Sequence, residues 1–180
     1  MDIIKKQKKT IIIIVSILLL IGLIVGLVLF IKNYNNYGGI KYQVYASNWH
    51  SSFKKDGEVI ESSEPITGIK LIVTGKYNGV AYTNISNEFE EKKCYIDEVC
   101  TLNEKIEKIS FNLTDTLKKK YDIYYKAYYD NKWSKWAHNS EEVGEKEKGI
   151  TKIKIKLVPK NAYLGDYLEG YDNEVINNEK

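Results

Sequence analysis

Histidine, cysteine and proline occur only twice each in these 180 residues, and the chemistry this removes bounds the function. His50 and His138 do not stand at equivalent places in the repeats of the chain. There is no Gly-x-Ser-x-Gly elbow, no phosphate-cradling glycine loop and no His-Glu-x-x-His. The acidic pairs Glu90-Glu91 and Glu141-Glu142 lie in polar turns beside lysines. Solvated charge is their plain reading, rather than the two carboxylates of a glycosidase. No run has the alternating Asp/Asn spacing of a calcium loop. The expectation is therefore no catalytic residue, no metal and no cofactor. The net charge is only +3, and the lysines are mixed with Glu and Asp, so no basic stripe invites nucleic acid. Cys94 and Cys100 have no His or Cys neighbour to complete a metal site. Outside a cell a pair this close oxidises to a local disulfide.

What the chain does have is one long apolar run. Residues 11–31 contain only Ser16, Gly22 and Gly26 that are not strongly apolar. Twenty-one residues make a helix of about 31 Å, which matches the roughly 30 Å hydrocarbon core of a bilayer. Lys5, Lys6, Lys8 and Lys9 precede the run against Asp2 alone, and Lys32 follows it. That asymmetry keeps the N-terminus cytoplasmic and sends the rest outward. The run is too long for a cleaved signal peptide and ends without a small-residue cleavage site, so it reads as a signal anchor. The expected order is a basic cytoplasmic tail over 1–10, the transmembrane anchor over 11–31 and a short linker over 32–38, with Gly38-Gly39 as its hinge. Gly22 and Gly26 form a small-xxx-small pair through which two helices would approach as a homodimer.

Tyrosine is abundant at 15, and with Ile, Val and Thr it falls in short alternating runs, the mark of strands. Three such runs align without gaps: Ile66, Ile69, Leu71 and Val73; Ile106, Ile109, Phe111 and Leu113; Ile150, Ile153, Ile155 and Leu157. Each is a half-buried strand. Trp49, Phe89 and Trp133 stand 20 residues before Ile69, Ile109 and Ile153. Ahead of these aromatics come further alternating runs through Ile40 and Tyr42, Val80 and Tyr82, and Ile123 and Tyr125. One unit is thus a strand, an aromatic, a polar turn and a closing strand, and three units fill 39–78, 79–120 and 121–162. A unit this small buries too little alone, so neighbouring units must share a core. The expected fold is all-β, three repeats about a pseudo-threefold axis, β-prism-like with a β-trefoil as the alternative, following one N-terminal transmembrane helix. The pattern fails from Asn161. Residues 163–180 read as an acidic tail, disordered from Asp172 onward, with a Tyr/Leu/Asp stretch before it that docks on the domain or on a partner.

These repeats carry a resemblance. Residues 121–125, then Asn131, Lys132, Trp133, Ser134, Lys135 and Trp136, Val143-Gly144 and the strand over 150–158, are similar to the clostridial hydrophobic repeat with tryptophan, the ChW repeat. Tyr42, Asn48, Trp49, Asp56, Gly57 and the strand from Ile66 resemble it in the first copy. The glycine that precedes the family's tryptophan is missing from all three copies, and the second replaces the tryptophan with Phe89. The resemblance implies a surface-displayed, noncatalytic module of low-GC Gram-positive bacteria that binds polysaccharide or protein at the cell surface.

Aromatics are the candidates for contact. Trp49, Trp133 and Trp136 would offer flat platforms to sugar rings, with Asn131, Asp56 and Asn139 to hydrogen-bond hydroxyls. A Trp recurring once per repeat more often fills a shared core and ties its N–H to a carbonyl, which is the competing expectation for Trp49 and Trp133. Trp136 has no gapless aromatic counterpart, although Phe53 lies one place away, and is the foremost surface candidate. Of the adjacent Tyr128 and Tyr129, one must face outward. The expected function is a membrane-anchored, outward-facing cell-surface module that binds wall or environmental polysaccharide. The alternative is a structural or assembly protein docking onto another membrane or surface protein.

Overall fold

A computed structural model describes residues 2–35, 39–47, 49–74 and 81–171. The chain divides into two units, Met1–Tyr37 and Gly38–Lys180. The first is a single helix, α1 (Asp2–Asn35), which runs beyond the apolar segment at both ends. Its stretch Ile13–Phe30 is long and apolar enough to cross a membrane. A helix is the form in which such a run satisfies every backbone group without water. Gly38, one of the two residues of the expected hinge, and the tail from Asp172 lie outside the described residues.

The second unit is mostly β-sheet, with three sheets. The first repeat gives β1 (Gly39–Ala46), β2 (Trp49–His50), β3 (Lys54–Lys55), β4 (Val59–Glu61) and β5 (Gly68–Thr74). The second gives β6 (Ala81–Ser86), β7 (Glu91–Tyr95), β8 (Val99–Thr101) and β9 (Lys108–Leu113). Gly79 and Val80, expected to open it, lie outside the described residues. A six-residue helix, α2 (Asp115–Lys120), which strand periodicity does not foresee, follows and is pinned by buried Leu117. The third repeat gives β10 (Tyr121–Tyr129), β11 (Lys132–Trp133), β12 (Ala137–His138), β13 (Val143–Gly144) and β14 (Lys152–Pro159).

Within each repeat the first strand pairs antiparallel with the closing strand: β1 with β5, β6 with β9, β10 with β14. The strand after each polar turn leaves its own repeat and pairs with the closing strand of another. β8 joins β5, β13 joins β9, and β4 joins β14. Every sheet therefore borrows one strand, and the borrowing closes into a cycle. Backbone hydrogen bonds close a second cycle. Ile66 N–H donates to the Ile150 carbonyl (2.7 Å), Ile150 to Ile106 (3.1 Å) and Ile106 to Ile66 (2.7 Å). These isoleucines are buried in one core with the alternate residues of the long strands, such as Ile40, Tyr42 and Val44 or Ile123, Tyr125 and Ala127. Burying each Ile or Leu contributes about 1.5–3 kcal/mol, and the alternation places those residues on one face.

The polar turns are built alike. In Lys55–Glu58, Tyr95–Glu98 and His138–Glu141 the terminal glutamate accepts the N–H of the first residue, at 2.7, 3.0 and 2.9 Å. The third residue of each, Gly57, Asp97 or Ser140, has a positive φ of 82°, 67° or 79°. In repeats one and three a buried tyrosine fastens the turn: the hydroxyls of Tyr42 and Tyr125 donate to the Glu58 and Glu141 carbonyls. At the matching register in repeat two stands Thr83, opposite both Cys94 and Phe111. There the Cys94–Cys100 disulfide, with Cα atoms 5.5 Å apart, spans the turn instead.

Residues 163–171 pack onto the outer face of β10 and β14. A 3-10 turn (Leu164–Asp166) brings Leu168 against Trp136 and Val158, in a cluster separate from the main core, with Tyr124, Tyr167 and Tyr171 at its border.

Candidate functional site

The exposed tryptophan of this fold is Trp49, at 46 % accessibility. It opens β2 opposite Ala46 of β1, and Ser47 after β1 takes φ 48°; Asn48 lies outside the described residues. Facing it is the chain leaving β4. Ser62 N–H donates to the Thr151 carbonyl (2.9 Å), and Ser62 Oγ accepts Glu64 N–H (3.2 Å). Ser47 Oγ donates to Glu64 Oε2 at 2.9 Å. Between the two lies a cleft of about 580 Å³ lined by Ser47, Trp49, Glu61, Ser62, Ser63 and Glu64, within the range of small-ligand sites. An indole wall with carboxylate and hydroxyl groups around it offers apolar contact to a ring and hydrogen bonds to its substituents.

The cleft continues onto the outer face of β10 and β14 through one ion pair. Glu61 Oε1 lies 2.6 Å from Lys152 Nζ, and that carboxylate's hydrogen bond raises the lysine pKa. The same ammonium stands 4.8 Å over the Tyr128 ring. Tyr128 meets Trp133 edge-on at 5.6 Å, and Lys126 Nζ lies 5.2 Å from Trp133 and 4.8 Å from Trp136. Tyr128, Trp133 and Trp136 thus share one face with lysines between them, and Trp49 connects to them through Glu61 and Lys152.

Other expected residues have different places. Trp136, foremost as a surface residue, is only 8 % exposed: residues 163–171 cover it, and its Nε1–H donates to the Glu169 carbonyl (3.2 Å). Trp49, for which core filling competed with exposure, is the open one. The gapless match of Trp49 with Trp133 is off by one. Strand register sets Tyr45 opposite His50 and Tyr128 opposite Trp133, so His50 is the counterpart of Trp133. The cause is one added residue: 13 positions separate Asp56 from Ile69, but 14 separate Asn139 from Ile153. Tyr129 turns towards the main core. Asn131 forms a two-residue hairpin turn with Asp130, at φ 61° and 49°, a backbone that short Asx residues tolerate. Asp56 does not line the cleft. Its Oδ1 accepts Leu157 N–H at 2.6 Å, tying repeat one to repeat three. Burial raises its pKa against that hydrogen bond and against Lys156.

Glu61, Ser62, Ser63, Glu64, Lys126 and Lys152 complete the arrangement, and no local pattern in the sequence marks them. A polar run after a strand looks like any loop, and the partner of Glu61 is 91 residues away (61 to 152). Among the described residues, no group of three His, Cys, Asp or Glu side chains is placed to hold a metal ion. No protein-family model matches this chain, and no curated protein or solved structure does.

Proposed function

We propose that this protein is a membrane-anchored binding module, held N-terminus inward by α1, whose outward β unit binds wall or environmental polysaccharide noncovalently and without catalysis. The carrying observation is the exposed Trp49 in a cleft edged by Glu61, Glu64 and three serines. A sugar's C–H face would lie on the indole while its hydroxyls meet those side chains. We read the three repeats as ChW-type units in a β-prism-like arrangement about a pseudo-threefold axis. The cyclic strand exchange and the ring of Ile66, Ile106 and Ile150 support that reading.

The test is acrylamide quenching of tryptophan fluorescence on the full chain in detergent micelles, with and without a cell-wall polysaccharide fraction. Quenching should fall when the fraction is added, and Trp49→Ala should weaken binding roughly tenfold or more, the loss typical of an aromatic anchor. Unchanged quenching, or full affinity in Trp49→Ala, sinks the reading.

One observation favours a second reading, docking onto another membrane or surface protein. The outer face of β10 and β14 already holds a peptide, residues 163–171.

A further inference from the structure

The segment 163–171 shows what the outer face of one sheet accepts. Glu169 pairs with Lys154 (3.1 Å), the Trp136 indole donates to the Glu169 carbonyl, and Leu168 is buried beside Trp136 and Val158. Tyr167 lies 6.0 Å from the Lys156 ammonium. The occupant is an acidic strap bearing leucine and tyrosine, and its seat is an aromatic flanked by lysine.

Strand register locates the same seat on the first repeat. Trp136 stands one residue before β12, whose Ala137 and His138 lie opposite Tyr125 and Tyr124. Phe53 stands one residue before β3, whose Lys54 and Lys55 lie opposite Tyr42 and Lys41. Phe53 is thus the counterpart of Trp136, and it is 41 % exposed. Lys154 lies opposite Lys126; in its place, opposite Gln43, is Lys70. Where Lys156 faces Tyr124, Ile72 faces an exposed Lys41. The first sheet therefore repeats the aromatic and the matching lysine, exchanges the Lys156–Tyr124 pair for Ile72–Lys41, and has Thr74, opposite Gly39, where Val158 stands opposite Asp122. The second sheet does not. Lys93 holds the aromatic's position, with its ammonium 3.8 Å over Tyr82, and Ser110 stands opposite Asn84 where a lysine would be needed.

We infer that the Phe53, Lys70, Lys41 and Ile72 face docks an acidic segment of a partner protein, one carrying leucine and tyrosine in the manner of residues 163–171. The aromatic receives the apolar side chain, and the two lysines receive carboxylates. This rests on the second reading above and is independent of the Trp49 cleft.

The probe is a labelled synthetic peptide of residues 162–171, titrated into the full chain in micelles and followed by fluorescence anisotropy. Saturable binding is expected, weakened at least tenfold by Phe53→Ser and by Lys70→Glu and reduced by added salt. Both side chains are at least partly open to solvent, so the thermal midpoint of each variant should stay at the wild-type value. Binding that both variants retain means docking at another face, such as exchange with the resident strap, and overturns this assignment while leaving a peptide-docking role standing. No binding of the peptide to the wild type overturns both. Equal binding of a scrambled peptide of the same composition also overturns it, because charge alone would then suffice. The polysaccharide reading is untouched by any of these results, since its readout is Trp49.

Discussion

Asp56 shows how a single side chain joins two repeats at a cost. Its carboxylate supplies an acceptor to Leu157 N–H, but burial disfavours its charge, more than Lys156 at 3.8 Å and the hydrogen bond restore. A carboxyl whose folded pKa is raised contributes stability while protonated, below its unfolded value near 3.8. It loses that contribution as pH rises through the folded pKa. The third repeat has Asn139 at this place in its turn, with N–H bonded to the Ile123 carbonyl as Asp56 N–H is to Ile40. Asp56→Asn keeps an acceptor and removes the charge. Its stability relative to wild type should therefore grow as pH is raised from about 4 to 7, in thermal melts of the two proteins side by side. Asp56→Ala instead leaves the Leu157 N–H without a partner and should cost about 1–3 kcal/mol. Asp122 has the opposite sign. Burial works against its charge, but Lys160 and Asn139 outweigh it and lower its pKa, so its contribution is lost as pH falls. Equal pH slopes for wild type and Asp56→Asn would refute the assignment.

At the scale of the turn, two chemistries do one job. A tyrosine hydroxyl spans the turns of repeats one and three, whereas Cys94–Cys100 spans that of repeat two, where Thr83 replaces the tyrosine. Ala137 and Val143 hold the cysteine positions in repeat three, because Val143 faces Ile109 as Cys100 faces Ile69. Cys94→Ala with Cys100→Val should lower stability by about 2 kcal/mol, the loop-closure contribution of so short a ring. Adding Thr83→Tyr should recover part of that loss by rebuilding the hydroxyl fastener; urea midpoints of the three proteins measure both steps, and no recovery refutes the equivalence. Part of this was legible in the residues. Period-two runs marked the long strands because burial on one face is a local property of sequence, and two close cysteines marked a loop closure. The Tyr-for-disulfide exchange was not legible, since Thr83 and Cys94 are brought together only by pairing register. Recurrent Glu58, Glu98 and Glu141 were hidden by the ordinary look of charged turns. The burial of Trp136 is illegible for a related reason: what covers it arrives some thirty residues later, in a segment without periodicity.

For the whole β unit the consequence of borrowed strands is cooperativity. In an open row of repeats each unit touches only its neighbours, and its ends can melt first. Here β4, β8 and β13 each complete a sheet belonging to another repeat, and the cycle leaves no end repeat. The carbonyls of Ile66, Ile106 and Ile150 are likewise each bonded across a repeat boundary. A defect in one repeat should therefore destabilise all three together. The sequence provides a clean reporter, because Trp49, Trp133 and Trp136 are the only tryptophans and none lies in repeat two. Ile85, buried in β6 opposite Ile109, is the place for the defect. Ile85→Ala opens a cavity in repeat two and should cost about 2–5 kcal/mol. If the β unit melts as one, tryptophan fluorescence and far-ultraviolet circular dichroism should shift to the same lower urea midpoint, although every tryptophan sits in an unaltered repeat. A fluorescence midpoint left at the wild-type value would instead mean that repeats one and three stand without the second, and the strand cycle would then carry no energetic coupling.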